Sequence, residues 1–174
     1  MKKLLTALVL FYGLLATGQA KAPAPIKIYT KEGVSIKAYD YEKLAYFLNQ
    51  KNDTTYVVNF WATWCVPCVK ELPHFEKLNQ QYKGKKVKVL LVSLDMAKMV
   101  ESKLLPFIKK KNLKSDVVLL RDPDSNNWIP KIDKSWSGTI PATLIYNKKV
   151  RKFYEKSFEY AELEKAVNEV MNAK

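Results

Sequence analysis

Trp64-Cys65-Val66-Pro67-Cys68 contains the only two cysteines of this 174-residue chain. The pair follows a β-branched and aromatic run, residues 54–60, that is typical of a buried strand, and it precedes a helix-like run, residues 69–82. Two thiols three positions apart at the start of a helix can pass between dithiol and disulfide without disturbing the rest of the fold. The spacing therefore predicts a redox-active pair, Cys65 and Cys68.

Two other uses of the cysteines are less favoured. A structural disulfide that closes so short a loop would stabilise the fold by about 2 kcal/mol, and a domain of this size has a core without it. A zinc site needs four ligands, and the chain adds a single histidine, His74. His74 lies about 240° around a helix axis from Cys68, so we expect it to point away from the thiols and predict no metal site.

Position predicts a different role for each cysteine. Cys65 falls at the helix N-terminus, where unpaired N–H groups and the helix dipole favour an anion. A free thiol is about 3% ionised at pH 7, and a pKa lowered to near 7 makes it about half ionised. We therefore expect Cys65 to be the attacking nucleophile and Cys68, one turn into the helix, to be the resolving thiol. Pro67 suits the first helical turn.

The N-terminus has the layout of a secretory signal peptide. A basic head, Met1-Lys2-Lys3, precedes an uncharged apolar run, residues 4–16, and small residues that allow cleavage after Ala20 or Ala22. The apolar run is shorter than the about 20 residues that span a bilayer comfortably, although an uncleaved N-terminal anchor remains the alternative. We predict a signal peptide, residues 1–22, and one domain, residues 23–174, with no stable membrane insertion after cleavage.

Charge says little about a specific partner. The formal net charge is +13, and removing residues 1–22 takes away three lysines and no acid, which leaves +10. The basic clusters lie at predicted turns or element ends rather than between aromatic residues, so we do not expect nucleic-acid binding. A solvated basic surface is the preferred interpretation, with attraction to acidic partners or anionic lipid as its functional consequence.

The order of predicted elements indicates an α/β fold. Two short strands and a helix capped by Asp40 precede the central strand, and Pro106 is expected to kink a helix over residues 99–111 or to mark its start. From residue 55 onward the order is β, α, β, α, β, a β-hairpin (142–146 and 151–154) and a last helix capped by Ser157. This alternation predicts a central mixed sheet with helices on both faces. The Cys65 loop then leaves the carboxyl end of a central strand, where such sheets place their chemistry.

Two separated motifs resemble the thioredoxin superfamily. Residues 59–68, Asn-Phe-Trp-Ala-Thr-Trp-Cys-Val-Pro-Cys, resemble its active-site stretch, and the following Val69-Lys-Glu-Leu-Pro73 is similar to the exported TlpA/ResA-like branch. Residues 136–143, Trp-Ser-Gly-Thr-Ile-Pro-Ala-Thr, resemble the segment that carries the family's cis-proline. In element order the resemblance covers about residue 30 to the C-terminus, and it implies the thioredoxin-like fold.

The resemblance also implies roles for individual residues. Pro141 would be cis, and the backbone at Ile140 and Ala142 would pair with an extended substrate. Thioredoxins proper carry a buried Asp at the position of Asn59, which cannot transfer protons in that way. In the exported branch a Glu three residues past the second cysteine takes this place, and Glu71 matches it. Burial would raise the pKa of Glu71, and a helical offset would place its carboxyl group beside Cys68. Trp64 would flank the thiols as an apolar contact. Pro73 would kink the helix.

The expected function is reduction of protein disulfides outside the cytoplasm, for example in apocytochrome or other periplasmic proteins. The resemblance implies a membrane electron donor and no cofactor, because the chain has no FAD or NAD fingerprint. A disulfide donor or isomerase is the alternative, since these potentials span about −270 to −120 mV in the superfamily. A thiol peroxidase would need a Thr where Ala62 stands, and a copper-binding module would need a histidine that converges with the cysteines. We expect an exported, periplasmic or otherwise extracytoplasmic protein, membrane-anchored if the signal is uncleaved.

Overall fold

The computed structural model describes residues 21–173. The strands of this part are β1 Lys27–Lys31, β2 Val34–Tyr39, β3 Thr55–Trp61, β4 Val87–Ser93, β5 Asp116–Leu120, β6 Ala142–Tyr146 and β7 Arg151–Tyr154. The helices are α1 Tyr41–Leu48, α2 Val66–Gln81, α3 Leu105–Lys111, α4 Ser125–Ile132 and α5 Tyr160–Met171. A 3₁₀ turn, Ala97–Met99, and a π-helical segment, Val100–Leu104, lead into α3.

The predicted signal peptide lies outside the described residues, except for its last two positions, Lys21 and Ala22. The boundary between signal and domain therefore stays a prediction. Within the described part of the chain, no helix is long and apolar enough to cross a bilayer.

One sheet of seven strands organises the described residues, in the order β1-β2-β5-β4-β3-β6-β7. The four strands β2, β5, β4 and β3 are parallel to their neighbours in that series, whereas β1, β6 and β7 are added antiparallel. The structure confirms the predicted mixed α/β sheet. β3 lies between β4 and β6, so its carboxyl end, where the cysteine loop starts, is central in the sheet.

Two apolar cores lie on the two faces of the sheet. On one face, α2, α3 and α5 pack through residues such as Phe75, Leu105 and Val167. On the other face, α1 and α4 pack through residues such as Leu44 and Trp128. Strand β3 is buried on both sides, and its alternate side chains enter the two cores in turn, as a central strand requires. Helices therefore cover both faces, as predicted.

Local sequence signals explain several element ends. The Asp40 carboxylate accepts a hydrogen bond from the N–H of Lys43 over 3.0 Å and caps α1 as predicted. Pro106 lies in the first turn of α3 and marks the start of that helix. The expectation that Ser157 caps the last helix is wrong. Helix α5 begins at Tyr160, and Glu159 stands at the cap position without a side-chain hydrogen bond.

The helices α1 and α4 share one cation at their carboxyl ends. The guanidinium of Arg151 donates to the carbonyl oxygens of Leu48 and Ile132, each over 2.8 Å. These are the last residues of α1 and α4. Because carbonyl groups at a helix end have no partner within the helix and carry partial negative charge, one arginine stabilises both ends.

Candidate active site

The cysteine pair lies where β3 leads into α2. β3 ends at Trp61 and α2 begins at Val66, so Cys65 occupies the cap position of the helix. Its backbone is extended, with φ −87° and ψ 102°, and the N–H of Cys68 points at the Cys65 sulfur over 3.3 Å. Pro67 lies in the first helical turn, where it removes no helical hydrogen bond. The unpaired N–H groups of this helix end favour negative charge on the Cys65 sulfur.

The two sulfurs form a disulfide, and they differ in accessibility. The Cα atoms lie 5.3 Å apart. Cys65 keeps 6% of its surface exposed, whereas Cys68 keeps none. Trp64 and Val66, on either side of Cys65, are 62% and 65% exposed. Cys65 is therefore the more accessible of the two sulfurs, and the apolar contact predicted for Trp64 stays a prediction.

The segment before β6 lies against the same sulfur. The peptide bond between Ile140 and Pro141 is cis, as predicted. The carbonyl oxygen of Ile140 is 3.7 Å from the Cys65 sulfur. Strand β6 starts at the next residue, Ala142, which pairs with Phe60 near the end of β3. The sheet thus brings Ile140, Pro141 and Ala142 to the mouth of the site, although they are more than 70 positions from the cysteines in the sequence.

Glu155 holds the loop that leads into this segment. Its carboxylate accepts hydrogen bonds from the N–H groups of Ser137 over 3.1 Å and Thr139 over 3.0 Å, and from the Ser137 hydroxyl. These bonds, the Ser137 hydroxyl first, lower the pKa of Glu155. Trp136 adds a bond from its Nε1–H to the Thr139 carbonyl over 2.8 Å. Sequence analysis missed Glu155, because only the pairing of β6 with β7 brings it to this loop.

Glu71 is a buried carboxyl group on the helix that carries the cysteines. It is 2% exposed and lies three residues after Cys68, on the same face of α2. One oxygen, Oε1, accepts from Asn59 Nδ2 over 2.8 Å, and the other, Oε2, accepts from the N–H of Phe158 over 2.8 Å. Burial raises the pKa of Glu71 to about 7, against the opposing effect of these two hydrogen bonds. The side chain can therefore gain or lose a proton near neutral pH.

The Asn59 amide suits both protonation states of Glu71. Its Nδ2 also donates to the Thr143 hydroxyl over 3.2 Å, whereas its Oδ1 has no partner among the described residues. An amide turned by half a rotation would present Oδ1 to Glu71 and accept a hydrogen bond from a protonated carboxyl. Sequence analysis noted that Asn59 cannot carry a proton, and the structure shows that it contacts the residue that can.

Asp95 fixes the loop that leads into the cysteines. It follows β4, is 4% exposed, and accepts hydrogen bonds from the backbone N–H of Thr63 over 3.1 Å and from the Thr63 hydroxyl over 2.5 Å. The Ser93 hydroxyl donates over 2.8 Å to Asp95 Oδ2, the oxygen that also accepts from the Thr63 N–H. Sequence analysis gave Asp95 no role in the site. Its position directly after a predicted strand was a useful signal. Neighbouring parallel strands end at the same edge of a sheet, so an acid there can lie beside the loop that carries the cysteines.

His74 lies apart from the thiols, as its helical offset predicts. Its Nε2 is 3.3 Å from the carboxylate of Glu159, so it links α2 to the start of α5. Among residues 21–173, no three His, Cys, Asp or Glu side chains are grouped in a way that could hold a metal ion.

Comparisons with known proteins agree with this geometry. Residues 24–152 match the AhpC/TSA family. Sporulation thiol-disulfide oxidoreductase A of Bacillus subtilis is 30% identical over 157 residues, which cover 85% of each chain. Thiol-disulfide oxidoreductase ResA of Halalkalibacterium halodurans is 28% identical over 116 residues, which cover 67% of this chain and 55% of that protein.

Solved structures show the same fold. The crystal structure of StoA from Bacillus subtilis superimposes with a TM-score of 0.52 and 25% identity, over 82% of this chain and 98% of StoA. The thioredoxin-related protein from Neisseria meningitidis serogroup B gives a TM-score of 0.60 at 24% identity, over 72% of this chain and 89% of that one. With its Cys65–Cys68 disulfide at the start of α2, the chain belongs to the AhpC/TSA family and is a thiol–disulfide oxidoreductase of the thioredoxin fold.

Proposed function

We propose that the protein is exported and mainly reduces disulfides in other proteins through the Cys65–Cys68 couple. The observation that carries the exchange mechanism is the unequal access to the two sulfurs, 6% exposed against 0%, and the resemblance to the exported TlpA/ResA-like branch supports reduction as its direction. A reductant that works through a mixed disulfide needs one thiol that partners can reach and one that they cannot. The apolar surface of Trp64 and Val66 beside the reachable sulfur supports a protein substrate rather than a small thiol.

The reaction starts from the dithiol form. The Cys65 thiolate attacks one sulfur of the substrate disulfide, which forms a mixed disulfide and releases the other substrate sulfur as a thiolate. Cys68 then loses its proton and attacks the Cys65 sulfur. This step forms the intramolecular disulfide and releases the second substrate thiolate. Two electrons pass to the substrate, and the protein ends in the disulfide state that the structure describes.

The backbone prepares both partners for the first step. The N–H of Cys68 and the N-terminus of α2 stabilise negative charge on the Cys65 sulfur once the disulfide is reduced. The substrate chain lies in an extended form against Ile140 and Ala142, where the start of β6 offers backbone groups for pairing. Its disulfide then meets Cys65 next to the Ile140 carbonyl.

Glu71 takes the proton from Cys68 in the second step. Cys68 is fully enclosed, so water does not serve as the acceptor there. A carboxyl group with a pKa of about 7 has a substantial ionised fraction at neutral pH and can hold the proton afterwards. The bonds from Asn59 and Phe158 stabilise the ionised form, which keeps the pKa from rising further.

Export and the source of electrons complete the proposal. The signal-like residues 1–22 support export. An oxidised protein outside the cytoplasm must be reduced again, and the chain shows no dinucleotide-binding motif, so we propose a membrane protein as electron donor. Reduction of an apocytochrome disulfide to its two thiols during cytochrome c maturation is one reaction that this arrangement would serve.

Two measurements test the function. We expect the potential of the Cys65–Cys68 couple to lie well below about −120 mV, the strongly oxidising end of the range for such couples. A value at that end would contradict the reductase role and favour a disulfide donor.

The second test traps partners in cells. The variant Cys68→Ala lacks the resolving thiol, so mixed disulfides through Cys65 should accumulate and can be isolated after acid quenching. Cys65→Ala is the matched control, because its remaining thiol is buried and should trap nothing. Equal recovery from both variants, or none from either, would argue against protein substrates.

A further inference from the structure

A basic groove lies along α2 and ends near the starts of β3, β4 and β5, at the sheet edge opposite the one that carries the disulfide. It has a volume of about 1050 Å³ and lies between the helix and two segments, residues 83–88, which lead into β4, and residues 111–114, which begin at the end of α3. Its helix wall begins at Val69, four residues after Cys65, which corresponds to a rise of about 6 Å along the helix axis between these two backbone positions. Leu72, which is 2% exposed, forms part of the floor. The groove therefore extends from the first turns of the helix that carries the cysteines toward the far end of that helix.

The charge of this groove is strongly one-sided. Among residues 21–173, those that line it include seven lysines: Lys77, Lys83, Lys85, Lys86, Lys88, Lys111 and Lys114. Glu76 is the acid in the same lining, and its carboxylate is already engaged. It accepts hydrogen bonds from the N–H of Lys114 over 2.8 Å and of Ser115 over 3.1 Å. The positive charge of the groove is thus not balanced by its own lining.

Most of these ammonium groups have no anionic partner. In the described part of the chain, Lys83, Lys88 and Lys114 make no ion pair. Lys86 forms an ion pair with Asp53 over 3.6 Å. The other three lie over aromatic rings rather than carboxylates: Lys77 over Tyr160, Lys85 over Tyr82 and Lys111 over Phe107. A ligand that brings carboxylates can pair with all but one of the seven without displacing an existing ion pair.

We propose that this groove binds an acidic, extended segment of the protein whose disulfide reacts at Cys65. The inference rests on the proposed function, because it assigns a partner to that same reaction. From Cys65 to Gln80 the helix rises about 22 Å, which an extended chain covers in about seven residues. Such a segment places alternate side chains on the apolar floor at Leu72 and Val87 and its acidic side chains against the lysines.

A concave shape favours a peptide over a membrane surface. Leu72, on α2, lines the groove at 2% exposure, so a narrow polypeptide strand can approach it and a flat bilayer cannot. Binding near Cys65 also raises the effective concentration of the substrate disulfide, because the second contact becomes intramolecular. The groove thus selects substrates by the charge of the chain next to their cysteines.

The test uses two disulfide substrates and two charge-matched variants. The substrates are synthetic cystine peptides that are identical except for a stretch of six Glu or six Gln, placed three residues from one cysteine. The groove variant carries Lys83→Gln, Lys88→Gln and Lys114→Gln. The control variant carries Lys51→Gln, Lys103→Gln and Lys134→Gln, three exposed lysines that do not line the groove. Both variants lose the same net charge.

The measured quantity is the second-order rate constant of the reduced protein at low ionic strength. We expect the Glu peptide to react with the wild-type protein about tenfold faster than the Gln peptide. Three exposed ion pairs worth about twofold each account for about eightfold of this advantage. The groove variant should lose most of the advantage and the control variant should keep it, and added salt should reduce it in both the wild type and the control.

Each alternative outcome has a distinct meaning. Equal rates for the two peptides, or equal losses in the two variants, would overturn the inference while leaving the reductase function intact. Binding to phosphatidylglycerol vesicles that depends on the groove lysines, without any preference for the Glu peptide, would overturn it in favour of a lipid surface. No reduction of either peptide, together with no partner trapped by Cys68→Ala, would overturn the proposed function itself.

Discussion

Replacing Glu71 with Gln should remove a specific pH dependence from the stability of the fold. The substitution keeps the size of the side chain and both of its contacts. Its Oε1 can accept from the N–H of Phe158, and its Nε2 can donate to the Oδ1 of a turned Asn59 amide, which has no partner in the described wild-type residues. Glu71→Gln therefore mimics the protonated carboxyl and cannot ionise.

The magnitude follows from the pKa of this group. Burial raises the pKa of Glu71 from its ordinary value of 4.5 to about 7. Each pKa unit corresponds to about 1.4 kcal/mol, so the folded wild-type protein loses about 3 kcal/mol of stability when this carboxyl ionises in its buried site. The sign is fixed by the direction of the shift. Because the folded state holds the proton more tightly than the unfolded chain, stability is greatest below pH 4.5 and falls as the pH rises through about 7.

Urea denaturation of the two oxidised proteins between pH 4.5 and 8.5 measures this effect. Contributions from all other groups are common to both proteins and cancel in the difference between them. We expect the difference in unfolding free energy, Glu71→Gln minus wild type, to increase by about 3 kcal/mol between pH 4.5 and pH 8.5. The same variant should lose the inflection near pH 7 in the rate of disulfide reduction. A stability difference that stays constant with pH would refute the raised pKa, and an unchanged rate profile would refute the role of Glu71 as proton acceptor.

Three further substitutions test the supports of the fold and site. Asp95→Ala leaves the N–H and hydroxyl of Thr63 without their acceptor, so we expect a loss of about 2–3 kcal/mol and faster hydrogen exchange at the Thr63 amide; unchanged exchange would mean that Asp95 does not hold this loop. Asp40→Ala removes the cap of α1 and should cost about 1 kcal/mol in urea denaturation, whereas Asp40→Asn should cost less. Arg151→Met breaks the bonds to the ends of α1 and α4, and a loss of about 1–2 kcal/mol is expected; a thermal midpoint equal to that of the wild type would contradict it.

Sequence patterns were sufficient for the fold where they reflect burial and local geometry. The β-branched run before the cysteines is a central strand, and Asp40 and Pro106 mark helix starts because capping and the missing proline N–H act within one turn. Ser157 is not a cap, because a capping side chain must stand directly before the first turn of its helix. The helix begins three residues later, at Tyr160, beyond the reach of the Ser157 side chain.

The parts of the site that escaped sequence analysis depend on long-range pairing. Thr63 and Asp95 are 32 positions apart, and Ser137 and Glu155 are 18 apart. Each contact exists because two strands end at the same edge or form a hairpin, and no local pattern marks an acid for this use. The Phe158 N–H that contacts Glu71 is further still, 87 positions away. Resemblance to a family located Glu71, but only the structure reveals which groups hold it.

In the proposed mechanism, the burial of Cys68 and the burial of Glu71 depend on each other. An enclosed resolving thiol is protected from other disulfides, so the sulfur available for it to attack is that of Cys65, three positions away on the same helix end. The same enclosure removes water as a proton acceptor, and the acceptor must then lie in the apolar core, where its pKa rises. The consequence is a carboxyl group with a pKa of about 7, whose ionisation lowers the stability of the fold above neutral pH. The same burial that causes this loss keeps other disulfides away from Cys68. Exposing Cys68 would relax both constraints together, so the two properties should be lost together in any variant that opens this part of α2.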